Sequence, residues 1–192
     1  IMINLSKSDE QLLSEMNSGC ADRVKKAIKK GIKVRLWDHD DYDTFFEKWQ
    51  ITAGGKWFST ITKLQYLKLL QVLEEKQCWN IFVSELDGQI IAGSICLYHG
   101  KTIVYLYWFT DRKYTNMGWH HYLKYAMFEW ARDRGFEYCD LMGWAPTGFP
   151  NHPLAGVSKF KESLWGMKRE FYGNFDLVLN PLLYYTFKLL TK

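Results

Sequence analysis

The chain has 192 residues, 47% of them apolar and 17% aromatic. That is enough to bury a sizeable core and near the length of one domain, so residues 1–192 are expected to form a single globular unit. Lysine and arginine exceed aspartate and glutamate by 25 to 21, a formal charge of +4, which permits an anionic partner without requiring one. No uninterrupted apolar run approaches the roughly 20 residues of a membrane span. Cys20, Cys78, Cys96 and Cys139 are scattered without CxxC spacing, which argues against a disulfide scaffold or zinc site and for reduced thiols in the cytoplasm. There is no HExxH motif, and the adjacent His120 and His121 diverge by about 100° on a helix, so no metal is expected. The chain begins with Ile1, as a piece cut from a longer protein would.

Ser8-Asp9-Glu10-Gln11 has the S-x-x-Q form of a capping box ahead of Leu12, Leu13 and Met16, predicting a short first helix. In Ala21–Lys30 the apolar Val24, Ala27 and Ile28 share one face, with Gly31 as the stop, so a second helix is expected to point its charges outward. Those charges are concentrated: Arg23, Lys25, Lys26, Lys29, Lys30, Lys33 and Arg35 read either as a phosphate-contacting patch or as a solvated face.

Lys33–Trp37 has the composition of a strand. Tyr42–Thr52 is expected to be a helix on the spacing of Phe45, Phe46 and Trp49, broken at Gly54-Gly55. Thr62 can cap a helix over Lys63–Glu75 whose core stripe is read as Leu64, Leu67, Leu70 and Val72. From Trp79 the pattern is β. Runs 79–86, 89–98 and 101–110, joined by Asp87-Gly88 and His99-Gly100, predict an antiparallel meander. A long amphipathic helix from Gly118 to Arg134 follows, ended by Gly135, and then a buried strand over Phe136–Met142.

Trp144–Gly156, with Pro146, Gly148, Pro150 and Pro153, reads as a loop, Ser158–Leu164 as a short helix, and Met167–Leu179 as a final hairpin. Pro181 opens a terminal helix carrying Leu182, Leu183, Phe187 and Leu190, expected to pack on the core rather than graze a membrane surface. The nine Trp and twelve Tyr serve either this core or the walls of a cleft.

This order of elements resembles that of the N-acetyltransferase fold. The fold class expected is therefore α/β (α+β), a mixed, mostly antiparallel central sheet flanked by helices. Acetyl-CoA enzymes of that fold carry a glycine-rich loop before the long helix, whose backbone amides hold a diphosphate. The equivalent segment here, Asp111 to Trp119, has the single glycine Gly118 followed by a bulky Trp119. A tight diphosphate cradle is not expected, and neither is acetyl-CoA as donor nor any other cofactor.

Several ordered segments resemble the Fem-type aminoacyltransferases. They are Arg23-Val24-Lys25-Lys26-Ala27-Ile28-Lys29-Lys30-Gly31-Ile32, Tyr105-Leu106-Tyr107 leading into Asp111-Arg112-Lys113-Tyr114, and Phe128-Glu129-Trp130-Ala131 with Gly135 and Tyr138-Cys139-Asp140-Leu141-Met142-Gly143. Gly156-Val157-Ser158-Lys159-Phe160-Lys161 and Leu179-Asn180-Pro181-Leu182 complete the set. The resemblance implies transfer of an amino acid from aminoacyl-tRNA to an amine of a peptidoglycan precursor, a nucleotide- or lipid-linked muropeptide. It implies a cytoplasmic enzyme, peripheral to the inner face of the membrane where the acceptor is lipid-linked. Members of the family carry two copies of this fold, and this chain is similar to the second.

An aminoacyl ester is already activated, so the reaction needs positioning and stabilisation of an oxyanion. By the resemblance Lys161 is the residue that supplies that charge, and Phe160 lines the channel for the tRNA acceptor end. Asp140 reads either as a group that binds or deprotonates the amine or as a turn cap. Arg112, Tyr114 and Tyr138 are candidate substrate contacts, although Thr115 stands where the family has an arginine. Arg23, Lys25, Lys26, Lys29 and Lys30 are the candidate RNA contacts. A CoA-dependent N-acyltransferase and a non-catalytic RNA-binding module are the alternatives.

Overall fold

The computed structural model describes residues 1–37, 42–54, 61–145, 151–152, 154–164, 166–170 and 175–190. In chain order these form β1 (Met2–Asn4), α1 (Asp9–Glu15), α2 (Ser18–Lys29), β2 (Lys33–Leu36), α3 (Tyr42–Gly54), α4 (Lys63–Lys76), β3 (Trp79–Leu86), β4 (Gln89–His99) and β5 (Thr102–Thr110). A 3₁₀ segment (Arg112–Met117), α5 (Trp119–Asp133), β6 (Tyr138–Asp140), α6 (Ala155–Ser163) and α7 (Pro181–Leu190) follow. One sheet runs in the order β1-β6-β5-β4-β3-β2. Every neighbouring pair is antiparallel except β5 and β6, which are parallel across the α5 crossover.

The local signals hold where they are chemically explicit. Ser8 accepts from the Gln11 amide while the Gln11 side chain accepts from Ser8, and Thr62 and Gln65 repeat the arrangement at the start of α4. Thr62→Ala should therefore cost about 1 kcal/mol, the usual value of an N-cap, read as a lower urea midpoint with an unchanged slope. At the first hairpin Asp87 and Gly88 have φ of 50° and 74°, the two positive values a tight primed turn demands.

The long-range features depart from expectation. The strand β1 was not foreseen, because three residues give no periodicity and form a strand only by pairing with β6. The stripe of α4 is Tyr66, Leu70 and Leu73, leaving Leu64, Leu67 and Val72 exposed, and Ile28 of α2 is exposed as well. Apolar residues surround α4 on several sides, and the Tyr66 ring, packed against Phe45 and Phe46 of α3, selects the face that turns inward.

The expected hairpin over Met167–Leu179 is absent among the described residues. Met167 instead bridges to Met2, and residues 175–180 form no strand. Residues 171–174 of that segment, Gly55, and Pro146, Gly148, Pro150 and Pro153 of the expected loop lie outside the described residues. The helix α7 starts at Pro181 as expected but buries none of its residues. Leu182, Leu183, Phe187 and Leu190 are all exposed, a correction to the expected core packing. Apolar residues lie all round this helix, so no single stripe marks a docking face.

Two cores sandwich the sheet. On one face Phe45, Trp49, Tyr66 and Leu70 pack with Ile81, Val83, Ile95 and Phe109, the Phe45 and Phe109 rings meeting edge-to-face at 4.9 Å. On the other, Leu12, Val24, Ala27, Leu123, Met127, Phe128 and Ala131 cover Phe82, Cys96, Ile103 and Tyr105.

One irregularity sets up the site. Ile95 pairs with Tyr107 but Cys96 with Tyr105, so Leu106 is the extra residue of a β-bulge. Because strand side chains alternate with period two, Ile103, Tyr105, Tyr107 and Phe109 would otherwise share one face. With the bulge, Ile103 and Tyr105 face α5, whereas Tyr107 and Phe109 face α3.

Candidate functional site

The ladder between β5 and β6 covers only Thr102–Val104 and Tyr138–Asp140, while β5 continues to Thr110. Beyond the last paired residues lies a cavity of about 630 Å³, bounded by Tyr105, Trp108 and Thr110 of β5, by Leu141 after β6, and by α2, α5 and α6. Its volume is in the range of ligand sites, roughly 300–1,000 Å³. The parallel pair parts after three residues, just before the Leu106 bulge of β5, and the cavity lies where the two strands separate.

Four cationic side chains line the cavity, Arg23 and Lys26 from α2, Lys124 from α5 and Lys161 from α6, and no aspartate or glutamate does among the described residues. Aromatic rings supply the remaining walls. Phe160 stands edge-on to His121 with centroids 5.1 Å apart, and Trp119 stacks on His120 at 3.5 Å. Flat aromatic faces between cations suit a ligand that is both anionic and planar.

Lys161 is 7% exposed, and its Nζ donates to the carbonyl of Gly143 at 2.6 Å. Burial lowers its amine to about 8, and the charge of Asp140 works against that shift. The same helix fixes the chain after β6 a second time, since Ser158 Oγ accepts from the Ala145 amide at 2.8 Å. Phe160 and Lys161 therefore face the cavity together. Asp140 does not line it: its Oδ1 accepts from the Met142 amide at 2.7 Å, supporting a turn in which Met142 adopts a φ of 65°. That is the turn-cap geometry, and the carboxylate acts on the cavity only through its field on Lys161.

The other candidates divide in the same way. On α2, Arg23, Lys26 and Lys30 lie within about 60° of one another on the helical wheel, whereas Lys29 lies about 60° beyond Lys26 and one turn further along the helix, and Lys25 about 100° beyond Lys26. Arg23 and Lys26 line the cavity; Lys25, Lys29 and Lys30 are exposed and do not. Tyr114, whose hydroxyl meets Gln89 at 3.3 Å, Arg112 on the exposed 3₁₀ segment, and Tyr138, under the guanidinium of Arg169, also lie outside the cavity lining.

Residues that the sequence reading passed over prove as prominent as those it chose. His121 is 4% exposed, and neither ring nitrogen has a hydrogen-bond partner among the described residues. Burial, with Arg23 and Lys124 nearby, drives its ring down to about 4, so it is a neutral imidazole with one donor and one acceptor unused. Lys124 is 2% exposed, with its Nζ 3.3 Å from the centroid of the Tyr105 ring. The available signal was positional: Lys124 stands four residues before Phe128 and seven before Ala131, on the apolar face of its helix.

The start of α5 does not form a diphosphate cradle. Gly118 has φ of 82°, and a Cβ there would stand 2.3 Å from the carbonyl oxygen of Arg23. A backbone acceptor of α2 thus sits against the helix N-terminus where an anion would need donors, and the Lys113 amide is taken by the Asp111 carboxylate at 3.0 Å. No helix among the described residues is long and apolar enough to cross a membrane, and no cluster of three or more His, Cys, Asp or Glu that could hold a metal occurs among them.

The sequence pattern of the FemAB family matches residues 68–192. The chain belongs to the FemAB family. The matched region contains Lys124, Asp140, Phe160 and Lys161, whereas α2 precedes it. Over 167 residues the FemAB chain is 25% identical to the UDP-N-acetylmuramoylpentapeptide-lysine N(6)-alanyltransferase of Weissella viridescens, covering 84% of this chain and 47% of that enzyme. Over 99 residues it is 31% identical to the lipid II:glycine glycyltransferase of Staphylococcus saprophyticus, covering 51% of this chain and 24% of that one. It thus spans about half or less of the length of these relatives.

The crystal structure of FemX superposes with a TM-score of 0.84 at 19% identity, covering 96% of this chain and 62% of that one. A predicted acetyltransferase from Clostridium acetobutylicum solved with acetyl-CoA superposes with a TM-score of 0.57 at 11% identity, covering 77% of this chain and 97% of that one. The N-acetyltransferase-like fold is therefore shared, with a mixed, mostly antiparallel sheet between helices.

Proposed function

We propose that this FemAB chain is the donor-binding part of an aminoacyltransferase that moves an amino acid from aminoacyl-tRNA to an amine of a peptidoglycan stem peptide. The observation that carries the reading is the cavity beside the β5–β6 splay, aromatic-walled and lined by four basic side chains and, among the described residues, by no carboxylate. The 3′ end of an aminoacyl-tRNA offers what such a site favours, stacked bases and phosphates, with an ester at the tip. Lys161, at the cavity wall, is the cation placed to meet the negative charge that develops on the ester oxygen when an amine attacks. Residues 1–192 would act as one domain, in the cytoplasm, meeting nucleotide-linked precursors in solution or lipid-linked ones at the inner membrane face.

The test is a transfer assay with radiolabelled aminoacyl-tRNAs and either a nucleotide-linked or a lipid-linked muropentapeptide, run on the full-length native protein. Label in the peptide is the expected result and identifies both substrates. Absence of transfer, with acetylation of the same acceptor from acetyl-CoA, would replace this reading by a CoA-dependent one.

The split of charges on α2 makes a second prediction. Substituting Arg23 and Lys26 together with glutamine should weaken binding of a tRNA acceptor stem and lower the slope of log affinity against log salt by about 1.4–1.8, at roughly 0.7–0.9 per phosphate contact. The Lys25/Lys29 double substitution should leave that slope unchanged. Equal slopes in the two doubles, measured by fluorescence anisotropy across a salt series, would remove α2 from the donor site.

A further inference from the structure

A lysine that is almost wholly buried is costly unless it is paired. Lys124 carries that cost without a carboxylate partner among the described residues. The groups that face it are Cys96 on β4, Tyr105 on β5, Cys139 on β6, Lys161 on α6, and His121 one turn earlier on α5. None of them offers a negative charge near neutral pH. Burial pushes the Cys96 thiol up to about 12, raises Cys139 well above its ordinary value, and does the same to the Tyr105 phenol. The one charged neighbour, Lys161, has the same sign. A leucine or methionine would fill the slot on this apolar helix face more cheaply, so packing does not explain the residue, yet its side chain borders the cavity floor with Tyr105 and Leu141.

We propose that Lys124 is the proton acceptor of the transfer step, taking a proton from the attacking amine while the Lys161 ammonium faces the ester oxygen. The inference rests on the aminoacyl-ester reading above. In the first half, the acceptor nitrogen bonds to the ester carbon, the carbonyl π electrons move onto oxygen, and Lys124 Nζ removes one proton from nitrogen. In the second half, the carbonyl re-forms, the bond to the ribose oxygen breaks, and that oxygen takes the proton back from Lys124. The products are an amide and a tRNA with a free hydroxyl, with Lys124 restored.

The two lysines suit the two roles because their surroundings differ. Burial lowers the Lys124 amine to about 7, and the charge of Lys161 adds to that. Lys161 has Asp140 nearby and sits at about 8. Lys124, the more deeply buried and beside a like charge, is held lower than Lys161, which has a carboxylate nearby, and that ordering of neighbouring groups assigns base and charge stabiliser.

Two measurements on the full-length protein test this. Competitive acylation with acetic anhydride, mapped by peptide, should show Lys124 of the unmutated protein half-titrated near pH 7; titration near 10.5, as for an exposed lysine, overturns the proposal. In the transfer assay, Lys124→Met and the permanently charged Lys124→Arg should lower turnover by about 10²–10⁴-fold. Both should lose the acid limb near pH 7, leaving the limb of the acceptor amine. Wild-type rate and limb in Lys124→Met, beside an active wild type, would sink the proton-acceptor role alone. A wild type that transfers from no aminoacyl-tRNA would sink the functional reading, and the proposal with it. Labelling needs no substitution, so a variant that fails to fold leaves the decision with that experiment.

Discussion

Lys161→Ala should lower turnover by about 10²–10³-fold, the loss that follows removal of one group stabilising an oxyanion, while leaving the fold intact by circular dichroism. The competing explanation is structural, because Lys161 Nζ also holds the Gly143 carbonyl at 2.6 Å. Lys161→Gln separates the two, since glutamine keeps an N–H donor and removes the charge. If the charge acts on the ester oxygen, the glutamine variant is as slow as the alanine variant. If the bond to Gly143 is what counts, glutamine restores the rate and the proposed role is wrong.

The pH profile adds an independent reading of Lys161. Its amine sits at about 8, lowered by burial, so the ammonium is present below that pH and lost above it. Wild-type turnover should fall as pH rises through about 8, and both variants should lack that limb. The sign for stability is opposite. Between about 8 and the ordinary lysine value of 10.5 the unfolded chain binds more protons at this position than the folded one, so this residue's contribution to stability rises with pH.

The second large effect is expected at Gly118. Its φ of 82° is disfavoured for a residue with a side chain, and a Cβ would stand 2.3 Å from the Arg23 carbonyl oxygen and 3.0 Å from its carbon. Both obstructing atoms are backbone, so relief requires α2 to move off α5, away from the shared packing of Val24, Ala27, Leu123 and Met127. Strain of about 1–3 kcal/mol and overpacking of a similar size together predict a loss of about 2–6 kcal/mol for Gly118→Ala. Gly135→Ala is the control, having a φ of 77° with nothing within 4 Å of its added Cβ, and should cost only the conformational part. Chemical denaturation of both variants separates the terms; equal losses would mean that the approach of α2 to α5 is not tight.

How much of this was legible beforehand depends on the range of the interaction. The capping boxes at Ser8 and Thr62, the Asp87-Gly88 turn, the start of α7 at Pro181 and the bounds of α5 follow from residues within a few positions of one another, whose backbone chemistry acts before any tertiary contact forms. The ordered segments from Arg23 to Pro181 carry the resemblance to the FemAB family, and with it Phe160 and Lys161. The phase of α4 was not legible, because its sequence offers more than one apolar stripe and only the neighbouring aromatic rings choose among them. Nor was β1, which exists through its pairing with a strand more than a hundred residues away.

The site shows the same division. Sequence supplied the basic residues of α2, but only the placement of that helix against the sheet brings Arg23 and Lys26 to the cavity and leaves Lys25 and Lys29 away from it. Asp140 had two readings, and its bond to the Met142 amide places it in the turn. Lys124 and His121 were hidden because a lysine or histidine on a helix has no chemistry of its own until burial removes its water and its partners. That burial comes from the packing of α5 against β4, β5 and β6, which is set by how distant segments meet. The sequence determined most of the elements and the family; the tertiary structure alone decided which side chains share a cavity, because desolvation and charge–charge coupling depend on distance in space rather than along the chain.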